Sequence, residues 1–474
     1  TLTITSDLQL GPDVATPTAG RLVIEDGATL KINATMTLDA ERGIRINGQG
    51  AIEVASGVTA TYNGTIAGGS AGSGLVKYGA GTLVLGGAQT YTGSTDIQLG
   101  TLAVSGSLSD STIVKVAQNA TYQLNVSDTI AGIEGAGNIV TGTVTGTTTT
   151  LTLNGGNSTP FSGVIADGAT GGKLALTKSG VGSQTLSGLN THTGATSVNG
   201  GTLVLSEGGY KTPSFAIAAG AVLEFQTENA RLDHQATGAV TFTGTGILRK
   251  TGSGAITWGT GAATFAMGAG GLIDVQQGSF IAGSYNNEVW TNNLASLNVA
   301  SSALFRTVEA DVRVDALTGS GVIQSGYSGY ANSGITVGVN NFASGLFNAA
   351  GSSEFSGSIY DLGRFIKSGT GTLTLSGSGS FTGASTVQAG TLRLGTDQAF
   401  SANSALTIAP GATFDLNGKR QSLLSVVQGT GTGTALITLG GSTGVLEING
   451  NGQTFAGVIS GDGSLRKVGA TTLT

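Results

Sequence analysis

Cysteine is absent from this chain of 474 residues, histidine occurs twice and proline five times. Each shortage removes a class of protein. Without cysteine there is no disulfide scaffold, no thiolate zinc site and no thiol nucleophile. Two histidines, at positions 192 and 234, are too few and too far apart for a histidine metal site or a proton relay. Charged residues are 10% of the chain, against about 25% in an average domain. The net charge is −6, and Lys and Arg nowhere form a block, so nucleic acid is excluded as a partner. No apolar run reaches about 18 residues, so no membrane-spanning helix is expected. No basic segment followed by an apolar one opens the chain. No cofactor and no metal are expected.

Glycine is what the chain has in abundance, 82 residues. It does not recur at every third position and proline is scarce, so collagen is excluded. The chain is 39% hydrophobic with a mean hydropathy of +0.20, which excludes a disordered chain. Stretches such as Thr82-Leu83-Val84-Leu85, Thr202-Leu203-Val204-Leu205 and Thr372-Leu373-Thr374-Leu375 alternate, the pattern of half-buried strands. Asn-Gly pairs at 47, 63, 154, 199, 417 and 449 punctuate them as turns. No run of ten residues carries a helical period. The fold is expected to be all-β.

Self-similarity decides which all-β fold. The segment Lys77-Tyr78-Gly79-Ala80-Gly81-Thr82-Leu83 returns at Lys367 to Leu373, loosely at Lys178 and Lys250, and again at Lys467. A Thr-Gly pair ends 16 positions after Lys77, Lys178 and Lys367, and Gly-Thr-Leu follows at 23. The Lys250 copy departs, since its Gly278-Ser279-Phe280 lies 28 positions on. An aromatic-x-Gly-x-Ile element begins at Tyr62, Phe161, Phe355 and Phe455. Lys77 and Lys178 are 101 residues apart, and Lys367 and Lys467 are 100 apart. Like segments at equal spacing stack on one another. The pattern predicts a parallel β-helix (β-solenoid), right-handed by coil chirality, of about twenty coils rising roughly 4.8 Å each. One continuous rod over 1–474 is expected, with repeat units of about a hundred residues and a less regular section at 279–360. Leu83, Leu85, Leu102, Leu373 and Leu375 should point inward, and Thr82, Val84, Thr101 and Thr372 outward. The sequence ends in mid-repeat, so the chain is expected to be a fragment of a longer protein.

The residues Gly74-Leu75-Val76-Lys77-Tyr78-Gly79-Ala80-Gly81-Thr82-Leu83, Tyr91-Thr92-Gly93-Ser94-Thr95 and Gly100-Thr101-Leu102 resemble the autotransporter-associated β-strand repeat of Gram-negative passenger domains. The resemblance recurs at Lys178 to Leu203 and Lys367 to Leu392. It implies a secreted rod exported through a C-terminal outer-membrane β-barrel of the precursor. It also implies a bacterial cell-surface, outer-membrane or extracellular location.

Three candidate chemistries stand out. The recurrent lysines (77, 178, 250, 367, 467) are expected at solvated coil corners, where they discourage edge pairing. The acidic run Glu309 to Asp315 should place Glu309, Asp311, Arg313 and Asp315 on one outer face, with Val308, Val312 and Val314 inside. That arrangement suits a solvated strand face better than a glycosidase pair or a cation site. His192 occupies the slot that Tyr91 and Phe381 fill, and His234 is read as a surface residue. Aromatic and amide residues gather between 279 and 360. Tyr285, Asn286, Asn287, Trp290, Tyr327 and Tyr330 are the candidate binding residues, accompanied by Asn292, Asn293, Asn332 and Asn340-Asn341-Phe342. Rings beside amides suit sugars and protein surfaces. No catalytic residues are assigned, and the chain is not expected to be an enzyme. The expected function is a surface rod in adhesion, cell aggregation or biofilm formation. Its partners are expected to be further copies of itself, or glycans or proteins of host or bacterial surfaces. The alternatives are a subunit of an extracellular filament, and a β-helical polysaccharide-degrading enzyme or tailspike.

Overall fold

The computed structural model describes the chain except for residues 14, 17–19, 208, 230–231, 234–238, 259–261, 284–287, 328–332, 451–453 and 470–474. Of residues 157, 158, 232 and 233 it describes the backbone. It is a parallel β-solenoid of about 19 turns among the described residues, with essentially no helix. Among the described residues two 3-10 turns, Asp7–Leu10 and Ala40–Arg42, interrupt the strands. No helix among the described residues is long and apolar enough to cross a membrane.

The chain divides into two compact units, Thr1–Leu223 and Glu224–Thr474. In the first, one face is a ladder that includes Thr29–Ile32, Gln49–Val54, Gly74–Tyr78 and Thr95–Ile97, each parallel to the next. A second face runs from Met36–Leu38 through Thr59–Tyr62, Thr82–Leu85, Gly100–Val104 and Ala120–Leu124. Register is what the alternation requires. Leu83 pairs with Ala60 below and Leu102 above, and all three are fully buried. Leu85, Leu373 and Leu375 are buried likewise, while Thr82, Val84, Thr101 and Thr372 stand half-exposed on the outer faces. Each such leucine contributes about 1.5–3 kcal/mol by leaving water.

The second unit repeats the plan with larger side chains. Phe242 stacks on Phe265 at 5.1 Å, and Phe265 on Trp290 at 4.0 Å. A neighbouring file runs from Trp258 to Phe280 at 5.0 Å and on to Phe305 at 5.5 Å. In-register parallel pairing puts like residues above one another, so a single aromatic position becomes a ladder.

At the aromatic-x-Gly-x-Ile elements neighbouring coils approach closely. The ring of Phe161 lies over Gly163, where a Cβ would stand 2.7 Å from Phe161 Cζ and would collide with the Gly137 carbonyl oxygen of the coil below. The same happens at Gly64 under Tyr62 and at Gly357 under Phe355. These glycines are fixed by lack of space. Their backbone does not lie in the left-handed region.

Candidate functional site

Four of the five repeat lysines lie inside the structure, which corrects their expected place at solvated corners, while Lys467 is half-exposed. Lys77, Lys178, Lys250 and Lys367 are fully buried. The Lys77 ammonium donates to the carbonyl oxygens of Tyr78 (2.9 Å), Gly79 (2.7 Å) and Leu99 (3.0 Å). Lys367 donates to Ser368 (2.7 Å), Gly369 (2.9 Å) and Ala389 (2.9 Å). Lys250 donates to Thr251, Gly252 and Gln277, and Lys178 to Ser179, Gly180 and Gly200. Lys467 donates to Val468.

The geometry explains the motif. The glycine two residues after each of the four buried lysines is left-handed: Gly79, Gly180, Gly252 and Gly369 have φ between 69° and 77°. The glycine opening the next Gly-x-x strand is left-handed too, at Gly100, Gly201, Gly278 and Gly390. These two turns stack and aim three carbonyls at one point, and an ammonium with three donors fits there. The lysine thus ties one coil to the next. Gln277 directly precedes Gly278, so the Lys250 copy, irregular in spacing, is regular in space. Burial pulls the pKa of Lys77 and Lys367 down to about 8 and lowers that of Lys178. Beside Lys367, the ring of Phe342 lies 4.8 Å from the ammonium.

Two further motif positions join coils. Gln89 accepts from the Ile66 amide at 2.8 Å and donates to the Gly87 carbonyl at 2.7 Å. Asn190, the corresponding residue of the next copy, accepts from the Ile165 amide and donates to the Gly188 carbonyl. In the aromatic slot, the Tyr91 hydroxyl is 2.6 Å from Thr95 Oγ1, and His192 Nε2 is 3.1 Å from Thr196 Oγ1. Where Phe381 fills the slot, the Ser385 hydroxyl has no hydrogen-bond partner.

The acidic run is rearranged relative to expectation. Asp311 is exposed and pairs with Arg364 at 3.1 Å. Val312 and Val314 are buried, whereas Val308 is a half-exposed turn residue with φ of 49°. Asp315, expected on the outer face, is buried and accepts from the amides of Asn340 (2.8 Å), Phe342 (2.9 Å) and Ala343 (2.7 Å). Strict alternation fails because the strand ends at Val314. Asp315 thereby anchors the loop 338–351 between Gly334–Val337 and Ser352–Phe355. Asn348 stitches the loop further by donating to the Ala343 and Ala349 carbonyls. The loop reaches over the outer face of the paired strands Leu272–Val275 and Ser296–Val299, since a Cβ on Gly345 would lie 3.8 Å from Ser296 Oγ. On that face Asp274, Asn298 and Thr318 are buried, with Asp274 bonded to Arg249, Gln276 and Asn298. Leu346 and Phe347 of the loop are exposed at 66% and 47%. Among the described residues no group of three His, Asp or Glu could hold a metal ion.

Replacing Asp315 by Asn keeps the shape but turns an amide nitrogen toward backbone donors. The expected loss is about 2 kcal/mol, read as a lower urea midpoint, with faster proteolysis within 338–351.

Of the six candidate binding residues, two, Trp290 and Tyr327, lie among the described residues. Trp290, expected at the surface, is 2% exposed, donates from Nε1 to the Ala282 carbonyl at 3.0 Å and ends a core stack. An interior aromatic flanked by Asn residues looks exposed in sequence because the ladder beneath it is not visible there. Asn293 and Phe342 are buried as well. Tyr327 is 49% exposed. Tyr285, Asn286, Asn287, Tyr330, Asn332 and His234 lie outside the described residues.

Fold and cradles define a repeat-built solenoid scaffold. Residues 75–104, 176–205 and 365–394 match the passenger-associated-transport-repeat family. Each match begins two residues before a cradle lysine. The chain is 31% identical, over 98% of its length, to the adhesin BmaC autotransporter of Brucella suis biovar 1 (strain 1330), of which it covers 14%. No solved structure is a match. Together the repeats and this relative support an autotransporter passenger domain.

Proposed function

We propose that this chain is a stalk segment of a bacterial surface adhesin of the autotransporter type, one that acts mechanically and catalyses nothing. One observation carries the reading. The motif lysines, the residues best suited to grip a ligand, are spent on tying coil to coil. The similarity to an adhesin supports the same role and a location at the cell surface or outside the cell. Adhesion would then be exerted on surface glycans or proteins, or on further copies, with this segment setting reach.

The test uses the whole precursor displayed on cells. Exchanging residues 1–474 for an equal number of unrelated solenoid coils should preserve adhesion, and deleting them should weaken it. Release of reducing ends from plant or bacterial polysaccharides by the purified chain would overturn the scaffold reading. So would a location confined to the cytoplasm.

A further inference from the structure

The slot filled by Tyr91 in one repeat and Phe381 in another holds an imidazole in the second. His192 is 2% exposed. Its surroundings are Leu176, Leu186, Leu205, Phe215 and Tyr210. Nε2 faces Thr196 Oγ1, which continues to Thr212 Oγ1 at 3.2 Å. Nδ1 has no hydrogen-bond partner. A second proton on this ring would find the Ile165 carbonyl, which already accepts from the Thr191 and His192 amides, and the charge would sit among leucines.

We propose that the coil around His192, residues 187–207 and 209–212, opens in acid: a proton taken up by the imidazole expels the ring from the core and releases this coil while the other repeats stay closed. Asp167 is the carboxylate that acts on the ring, and both its oxygens are engaged by the Leu174 amide and by the Thr193 amide and hydroxyl. On the strand Lys173–Lys178, Lys178 donates to corner carbonyls and Lys173 is exposed. Beyond the strand Thr202–Ser206 lies Glu207, which acts on Tyr210, a phenol held neutral by burial. Burial, opposed by Asp167 and the Ile165 carbonyl, holds the His192 pKa down to about 4 from 6.5.

The sign follows. An opened coil takes its proton near pH 6.5, the closed one only near pH 4. Between those values the opened form binds more protons, so acid favours it. Tyr91 and Phe381 take up no proton in this range, which confines the effect to one repeat.

Hydrogen exchange followed by mass spectrometry tests this, with rates corrected for intrinsic pH dependence. Protection across 187–212 should fall on the order of 30-fold at pH 5 and 100-fold at pH 4, relative to pH 7. In His192→Phe and His192→Tyr it should stay flat, and both residues are already accommodated in sister slots. The segment around Tyr91 should be flat in every protein. Equal loss in His192→Phe, or no loss in the unmodified chain, overturns the proposal. So does a loss spread evenly over all repeats.

Discussion

Lys77→Arg is expected to destabilise the coils around residues 75–104 about as much as Lys77→Met does, by roughly 2–3 kcal/mol. Methionine fills the volume of the lysine stem but leaves the Tyr78, Gly79 and Leu99 carbonyls without their shared donor. The loss is tempered because a buried charge disappears with the lysine. Arginine keeps the charge. Its planar fork spreads its donors and cannot converge on three oxygens around one nitrogen. A lysine that merely charged a coil corner would tolerate arginine freely, so the pair of variants separates the two roles. Urea denaturation gives the magnitude, and hydrogen exchange shows whether the loss is centred on this cradle. The buried Lys178, Lys250 and Lys367 should behave alike.

Gly163→Ala should cost more, about 4 kcal/mol or above, from a single methyl group. The new carbon would meet the Gly137 carbonyl oxygen and Phe161 Cζ at once, one belonging to the coil below and one to its own. Backbone cannot give way without parting the two coils, and the parallel ladder between them would go with it. Gly220→Ala is the control. That glycine is left-handed at φ of 78° and has nothing within 4 Å of a Cβ, so only the conformational cost of about 1–2 kcal/mol is expected. A thermal melt of the two variants should show a clearly larger shift for Gly163→Ala. Equal shifts would mean that coil spacing is softer than the structure shows.

Much of this was legible in the residues. Thr82-Leu83-Val84-Leu85 announces its own inner and outer faces, because side-chain direction in a strand depends only on adjacent residues. The recurrence of Lys-x-Gly and Gly-Thr-Leu at fixed spacing announces stacking. Asp315 shows where such reasoning fails: one residue past the strand end, parity no longer sets direction, and a carboxylate that reads as solvated is drawn inward by three amides of a later loop. Trp290 fails similarly, because its partner Phe265 lies a coil away. Asn63-Gly64 reads as a turn by composition, yet Gly64 is required by the ring of Tyr62.

By itself the sequence determined the strand content, the period, the inward leucines and the resemblance to passenger repeats, all of which rest on neighbours in the chain or on repetition along it. Only the tertiary structure decided which polar residues are interior. A lysine becomes a core residue when carbonyls from a coil 22 or 27 residues onward arrive to receive it, and no local property of the lysine foretells that arrival.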